Sequence, residues 1–336
     1  MNVLLLYYTG TFNTRYLTDR AQAHFQAGGH TVTRVEINCN TPAADTSGYD
    51  WIGFGYPIYA FNSPRPFNRY LKSLRFAPGQ RFFIYKNSGE TFAVNNASSR
   101  TLLRYMKKSR TVFCGEYHFV MPYTIHFPYE QAFVREILEK DEKLLKIMLY
   151  NLEHGISPRI KSNLLYNAFS AILSVQKFGG FINSFFYKAD AEKCTLCQRC
   201  VRDCPEQNIR VEGGKIRFGH TCDMCMRCSF FCPANAIRIG FLEGWKVNGD
   251  YHLEQIADQP LPDSPYIRKD SRGFYACFVR TFARIDEEYA RLFPHPSVPR
   301  SDAPPGSQTL IDEEYARLFP HPSAPRSDAP PPDRKP

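Results

Sequence analysis

The sequence lacks any segment that could cross a membrane. No uninterrupted apolar run in its 336 residues approaches the roughly 18 residues of a transmembrane helix. The apolar start of the chain, residues 3–8, has neither the basic flank nor the small-residue cleavage site of a secretory signal. We therefore expect a cytoplasmic protein that is not associated with a membrane.

Other missing signatures remove further classes of function. The formal net charge is +9, but the Lys and Arg residues are scattered, so nucleic acid is not an expected partner. A basic surface suits acidic redox partner proteins better, although the sequence identifies neither the partner nor the oligomeric state. No G-x-G-x-x-G motif follows a predicted strand, which argues against bound NAD. No carboxylate pair or Ser/His arrangement has catalytic spacing, so no catalytic residue is assigned.

Cysteine, in contrast, is abundant and regularly spaced. The chain has 11 cysteines, and most of them fall into two copies of the pattern C-x2-C-x2-C-x3-C-P. Three thiolates at three-residue steps allow one tight loop to surround a cubane iron–sulfur cluster. Thiolate ligands also fit a reducing compartment better than a secreted protein with disulfide bonds.

The two copies predict two [4Fe–4S] clusters with crossed ligation. In two-cluster ferredoxins the fourth cysteine of each run binds the other cluster. The predicted first quartet is Cys194, Cys197, Cys200 and Cys232, and the predicted second quartet is Cys222, Cys225, Cys228 and Cys204. Zinc is the main alternative, but it requires neither a third cysteine at the same step nor the final C-P. Disulfides at this spacing would close strained small rings.

The first half of the chain alternates predicted strands and helices. Strands are expected at residues 3–8, 30–37, 51–56, 81–86 and 111–120, and helices at 15–27, 64–75 and 94–108. This alternation predicts an α/β fold with a doubly wound parallel sheet and helices on both faces. Ligands of such sheets bind at the carboxyl ends of the strands, where the strand order reverses.

Three loops at predicted strand ends carry the candidate residues of a flavin site. The first loop, residues 9–14, offers hydroxyl and amide groups to a phosphate at a helix start. The second loop, residues 57–62, offers aromatic rings, and the third loop, residues 87–90, offers a glycine turn. The candidate FMN-binding residues are Thr9, Gly10, Thr11, Asn13, Thr14, Pro57, Tyr59, Ala60, Phe61, Asn62, Asn87, Ser88, Gly89, Glu90, Tyr117 and His118. The plainer alternative is that the polar residues only cap helices and the aromatic residues only pack.

The second half of the chain divides into a linker, a cysteine-rich module and a tail. Helical patterns cover residues 131–154 and 163–187, and Gly179 and Gly180 predict a break in the second. We expect the linker to pack on its neighbouring domains, because its polar face carries too few Lys and Arg residues for a membrane-surface helix. A glycine pair at 213–214 predicts a hairpin between the two cysteine runs.

The C-terminal region is rich in proline and contains a tandem repeat. Residues 285–305 recur at 311–331 with one difference, Val298 against Ala324. This composition predicts disorder, although a repeated segment can also serve as a pair of binding motifs. The predicted boundaries are 1–155 for the sheet domain, 156–187 for the linker, 188–257 for the cysteine module and 258–336 for the tail.

The loops and cysteine motifs together resemble those of flavodoxin–ferredoxin fusion proteins, which are electron-transfer proteins found mainly in anaerobic bacteria. The first loop is similar to the phosphate loop of flavodoxins, except that Phe12 stands where such loops often have glycine. The resemblance spans about residues 1–256. It implies a flavodoxin-like FMN domain followed by a two-[4Fe–4S] ferredoxin module, which together relay electrons between the clusters and FMN.

Two other functions stay open at this level. The protein could be an enzyme in which FMN reduces a small molecule, in a pocket lined by residues 117–127. It could also be a redox sensor in which the state of the clusters controls binding by the repeat tail. An electron carrier is the preferred interpretation, because electron relay requires no catalytic acid, base or nucleophile.

Overall fold

The N-terminal half of the computed structural model, which describes residues 1–174 and 176–294, is built on one parallel sheet. Its strands are β1 (Asn2–Tyr7), β2 (Thr31–Glu36), β3 (Trp51–Pro57), β4 (Arg81–Ser88) and β5 (Val112–Val120). They follow the order β2-β1-β3-β4-β5, and every neighbouring pair is parallel. This order belongs to flavodoxin-like doubly wound sheets and reverses between β1 and β3. The predicted fold class is therefore confirmed.

Helices cover both faces of the sheet. On one face lie α1 (Asn13–Ala27) and α4 (Gln131–Glu153), and on the other lie α2 (Arg65–Ser73) and α3 (Arg100–Lys108). The central strands β1 and β3 are buried along nearly their whole length, as expected for strands that are covered twice. Each face has its own large hydrophobic core. The carboxyl ends of the strands are thus held on a rigid scaffold.

The linker forms two helices, α5 (Leu164–Leu173) and α6 (Gln176–Ser184). The chain leaves helical structure near Ser174, so the predicted break at Gly179 and Gly180 is wrong. Gly180 instead lies within α6, where a Cβ atom would be 2.6 Å from the carbonyl oxygen of Cys222. Glycine at this position therefore permits close packing on the cysteine module.

The cysteine module consists of two similar halves. Strand β6 (Tyr187–Ala189) pairs antiparallel with β9 (Ile237–Ile239), and β7 (Ile209–Glu212) pairs with β8 (Lys215–Phe218). The β7–β8 hairpin turns at Gly213 and Gly214, both with positive φ, as predicted. A single helical turn follows each cysteine loop: α7 (Arg199–Arg202) in the first half and α8 (Arg227–Phe230) in the second.

The predicted tail boundary at residue 258 is wrong. After α9 (Leu253–Ala257), the chain continues to a 17-residue helix, α10 (Ala276–Leu292), which packs on α4. Phe278, Phe282 and Ile285 recur along one face of α10 and are buried, and Asp286 pairs with lysines of α4. Residues 1–293 form one compact unit. The start of the first repeat is therefore the end of a packed helix, and the second repeat lies outside the described residues.

Within 1–174 and 176–294, no helix has both the length and the apolar character needed to cross a bilayer.

Candidate functional site

The eight motif cysteines surround two cavities in the cysteine module. One cavity is lined by Cys204, Cys222, Cys225 and Cys228. The other is lined by all four members of the first quartet together with Cys228. Each cavity thus combines three cysteines of one run with the fourth of the other, which is the arrangement that crossed ligation requires.

The two cysteine loops share an unusual backbone conformation. The residues on either side of the middle cysteine have positive φ in both: Leu196 and Gln198 in one loop, Met224 and Met226 in the other. Successive backbone reversals of this kind turn N–H groups toward the enclosed space. The N–H of Met224 donates to the Cys222 sulfur at 3.3 Å, and the loops after the fourth cysteines make similar N–H to sulfur bonds. Such bonds stabilise thiolate ligands and tune the potential of a cluster.

The thiols of the second quartet are buried and need a metal to become thiolates. Burial raises the pKa of the Cys222 thiol to about 11 and that of Cys225 to about 12. Four thiolates in such a site need compensating positive charge, which irons supply. In the part of the chain that the structure describes, no three His, Cys, Asp or Glu side chains are spaced for one metal ion. The donor set and the cavities therefore fit iron–sulfur clusters.

The second quartet lies directly on the carboxyl edge of the sheet. Arg227, between Cys225 and Cys228 in sequence, is buried and donates to the carbonyl oxygens of Thr9, at 2.6 Å, and Gly10. Its Nη1 donates to the carbonyl of Asp203 at 2.9 Å. One guanidinium thus joins the first loop to both halves of the cysteine module.

Phe12, the residue that departs from the flavodoxin pattern, is part of this contact. It has a φ of 68°, a left-handed conformation that favours glycine. The centroids of the Phe12 and Phe231 rings are 5.1 Å apart. The guanidinium carbon of Arg227 lies over the Phe12 ring, 4.5 Å from its centroid. The strain of a left-handed phenylalanine is therefore offset by packing against the cysteine module.

Helix α2 and the loop after β2 complete the contact with the second quartet. Arg69 pairs with Glu206 at 2.9 Å, Arg65 donates to the Thr221 carbonyl at 3.1 Å, and the Cys39 N–H donates to the Pro205 carbonyl. The first quartet, in contrast, includes the exposed Cys197. The second quartet is thus the inner site and the first quartet the outer one.

The first loop has free donors at its phosphate end. No side chain caps the N-terminus of α1, whose first turn contains no acidic residue. The hydroxyl of Thr9 is buried and has no hydrogen-bond partner among the described residues. Thr14 is engaged with Asn87 at 2.8 Å, and Asn13 with the Pro122 carbonyl at 2.9 Å. Unpaired helix N–H groups beside a buried unpartnered hydroxyl fit the phosphate of FMN.

The part of the candidate flavin site that would hold the flavin ring, here called the ring end, is less open than the phosphate end. The second loop turns tightly at Ala60 and Phe61, both with positive φ, and Tyr59 and Asn62 pair across the turn. A Cβ atom on Gly10 would lie 2.1 Å from the Tyr59 hydroxyl. Pro57 lies beside Asn87 in the sheet, so the second and third loops are neighbours.

A tyrosine also covers the third loop, as Tyr59 covers Gly10 of the first loop. A Cβ atom on Gly89 would lie 2.1 Å from the ring of Tyr123, whose hydroxyl bonds to Glu90. A flavin ring at this edge would have to stack on Tyr59 and Tyr123 or displace them. The residues present therefore offer hydrogen-bond donors to the phosphate of FMN, and its ring fits only if these tyrosines adjust.

Two of the candidate flavin residues, Tyr117 and His118, lie on β5 outside the three loops. Tyr117 does not reach the loops, because its ring is buried in the core that the sheet shares with α1 and α4. His118 contacts the third loop, because its Nε2 atom lies 2.7 Å from the hydroxyl oxygen of Ser88. Burial and the charges of Lys86 and Arg284 lower its pKa to about 3, so it is neutral.

A buried ion pair beneath the third loop escaped the sequence analysis. Lys86 and Glu116 are fully buried and 2.7 Å apart, and the hydroxyl of Ser99 contacts both. Burial lowers the pKa of Lys86. The sequence signal that could have revealed this pair is the lysine at the end of the apolar run of β4. The pair fixes the base of the third loop.

Comparison with known proteins matches the cysteine module to a family. Residues 186–233 match the model of a 4Fe–4S dicluster domain. No curated protein matches the chain.

Solved structures that resemble the N-terminal half include flavodoxins. Flavodoxin 1 from Bacillus cereus is 13% identical, with 46% of this chain and 99% of that chain covered and a TM-score of 0.34. A flavodoxin from Streptococcus pneumonia TIGR4 is 18% identical over 46% and 99% of the two chains, with a TM-score of 0.36. A WrbA-like protein from Agrobacterium tumefaciens is 12% identical over 46% and 94%, with a TM-score of 0.32. The strand order itself establishes the flavodoxin-like sheet.

Proposed function

We propose that this chain, which joins a flavodoxin-like sheet to a 4Fe–4S dicluster domain, relays electrons between two [4Fe–4S] clusters and FMN. The contact between the second quartet and the first loop is the observation that carries the proposal. A Cβ atom on Gly10 would lie 3.0 Å from the carbonyl oxygen of Cys225. The inner cluster site and the phosphate loop therefore share a wall.

The exposure of the quartets supports an order of transfer. Cys197 of the first quartet is exposed, whereas Cys225 of the second quartet is half-buried and lies against Gly10 of the first loop. A redox partner protein would thus meet the outer cluster first. The inner cluster then connects the outer cluster to the flavin site.

The protein's own residues hold and insulate the carriers. Clusters exchange single electrons and FMN exchanges one or two, so their combination couples one-electron and two-electron chemistry. The eight cysteines hold the clusters, and Arg227 places a positive charge beside the inner one. Thr9, Thr11 and the N-terminus of α1 hold the phosphate, while Tyr59 and Tyr123 exclude water from the ring end.

The residues proposed for a substrate pocket do not favour a reductase. Tyr117 is a core residue, His118 bonds to Ser88, and Tyr123 packs on Gly89. The relay is therefore the function that the described residues support best.

An anaerobic reductive titration tests the relay. Protein loaded with iron, sulfide and FMN should take up about four electrons per chain, one per cluster and two in the flavin. Uptake should appear in both the cluster and the flavin absorbance. A chain that retains no FMN after reconstitution, or whose flavin stays oxidised while the clusters are reduced, would contradict the relay.

Two matched cysteine variants test the role of the inner cluster. Cys204→Ser should damage the cluster beside the first loop and slow flavin reduction, although Cys204 precedes the second cysteine run in sequence. Cys194→Ser, the control, should damage the outer cluster and leave fast exchange between the inner cluster and the flavin. The same cluster lost in both variants would contradict crossed ligation.

A further inference from the structure

The two linker helices have the reverse of the usual orientation. Helix α5 buries Ser170, and α6 buries Gly180, Asn183 and Ser184, so both turn their small and polar residues toward the protein. Six large apolar side chains on or directly beside these helices are exposed. The exposed fractions are 86% for Leu164, 73% for Leu165, 68% for Ile172, 48% for Phe181, 54% for Ile182 and 58% for Phe185.

Specific hydrogen bonds fix this orientation. The Ser170 hydroxyl bonds to the Phe61 carbonyl at 2.9 Å and to the Asn62 side chain at 3.0 Å. Asn183 donates to the Ile239 carbonyl at 3.0 Å and accepts from the Phe241 N–H at 2.8 Å. Rotation of either helix to bury its apolar side would break these bonds. The outward apolar face of each helix is therefore a built feature, and exposed apolar surfaces of this kind mark interaction sites.

A basic cleft adjoins the apolar face. It lies between α3 and the segment 159–162, with Asn167 of α5 in its wall. Its cationic side chains are Arg100, Arg104, Lys107, Arg159 and Lys161, and none of its lining residues is acidic. Among the described residues, none of these five cations forms an ion pair.

The charge distribution extends this pattern along the linker. No acidic residue occurs between Glu153 and Asp190, and the exposed Lys188 follows α6. The linker's own polar face carries few cations. For this reason the sequence alone did not predict binding to a membrane surface. The fold supplies them from α3, which is distant in sequence.

We propose that the apolar face of α5 and α6, together with the basic cleft, docks on the surface of an anionic lipid bilayer. Apolar side chains enter the boundary between headgroups and acyl chains, and unpaired cations contact lipid phosphates. A second copy of the chain fits less well, because pairing two such faces would bring two unpaired basic clefts together. This proposal goes beyond electron relay and does not depend on it.

Vesicle flotation with the full-length, cluster-loaded protein tests the docking. Vesicles of phosphatidylcholine with phosphatidylglycerol should carry the protein upward, and vesicles of phosphatidylcholine alone should carry it at least about tenfold less well. Raising the salt from about 0.1 M to about 1 M should release a large part of it, because the headgroup contacts are screened.

Two variants, each with a matched control, separate the apolar and ionic parts. Leu165→Gln with Ile172→Gln should weaken binding to anionic vesicles at least tenfold, whereas Val211→Gln with Leu261→Gln, exposed elsewhere, should not. Arg104→Gln with Lys107→Gln should weaken it severalfold, whereas Lys72→Gln with Lys108→Gln should not. Unchanged cluster absorbance and circular dichroism show that each variant is folded.

Four results would overturn the proposal. One is no flotation with anionic vesicles, and another is equal loss in a variant and its control. A third is a dimer in solution that the Leu165 and Ile172 variant dissociates without any vesicle binding, which would assign the face to a second copy. The fourth is complete displacement by millimolar inorganic phosphate at constant ionic strength, which would make the cleft a site for free anions.

Discussion

The sheet region and the cysteine module are stabilised in different ways. The sheet has two large cores with a full set of apolar contacts on each face. The module's main core contains only Tyr187, Met226, Ile237 and Ile239 as fully buried hydrophobic residues, surrounded by half-buried cysteines. The sheet thus folds on hydrophobic burial, whereas the module has the small core of domains that generally need metals or disulfides to be stable.

Loss of the clusters should produce the largest difference between the two regions. The loaded protein should contain about eight iron and eight sulfide per chain. When the iron is chelated, the module loses the metal cross-links that join its two halves, so residues 187–239 should unfold while the sheet keeps its hydrogen bonds. Hydrogen exchange measured on both regions checks this. Protection of β7 and β8 in iron-free protein, zinc in place of iron, or only four irons would contradict it.

Removal of the α10 contact should weaken the sheet region alone. Phe278 is fully buried against α4, so Phe278→Ala should lower the free energy of unfolding by about 3–5 kcal/mol. Iron content should not change, because α10 contacts neither quartet. Urea unfolding followed at the sheet measures the effect, with Leu261→Ala, half exposed, as the control. Equal stability of wild type and Phe278→Ala would restore the predicted tail boundary at residue 258.

Acid should weaken the sheet region through one carboxylate. Although burial opposes it, hydrogen bonds from His24 and Arg20 of α1 lower the pKa of Glu142 from 4.5 to about 2. Since the folded pKa is the lower one, this stabilisation is complete above pH 4.5 and is lost as the pH falls toward 2. Glu142→Gln should cost at most about 3 kcal/mol at pH 7 and flatten the stability profile between these values. A variant with the wild-type acid profile would contradict the assignment.

Threonines of the first loop should show the smallest effects. Thr9→Val removes a buried hydroxyl without a partner, so it should leave the flavin-free protein as stable as before and weaken FMN binding by about 0.5–1.5 kcal/mol. Thr14→Val breaks the bond to Asn87 and should reduce stability instead. Fluorescence titration with FMN and thermal unfolding measure the two quantities. Identical behaviour of the two variants would remove Thr9 from the phosphate site.

Local patterns in the sequence predicted the strands, the cysteine grouping and the three loops, because each depends on neighbouring residues. The contacts that cover those loops could not be predicted. Arg227 lies more than 200 residues from Thr9, and no local pattern indicates that its guanidinium bonds there. Gly180 looked like a helix break because its reason, the Cys222 carbonyl, lies in another module. The stripe of Phe278, Phe282 and Ile285 had the period of a packed helix but was hidden by the proline-rich sequence around it.

The position of Arg227 has a consequence for the order of assembly. The three loops lie within the first 90 residues, and the groups that cover them, Ser170 and Arg227, are synthesised later. The carboxyl edge of the sheet is therefore open on the nascent chain and closes when the module docks. We expect flavin to load before the clusters mature, so FMN added to cluster-free protein should bind faster than FMN added after cluster assembly. Equal rates of FMN uptake by the two forms would show that the docked module does not restrict entry.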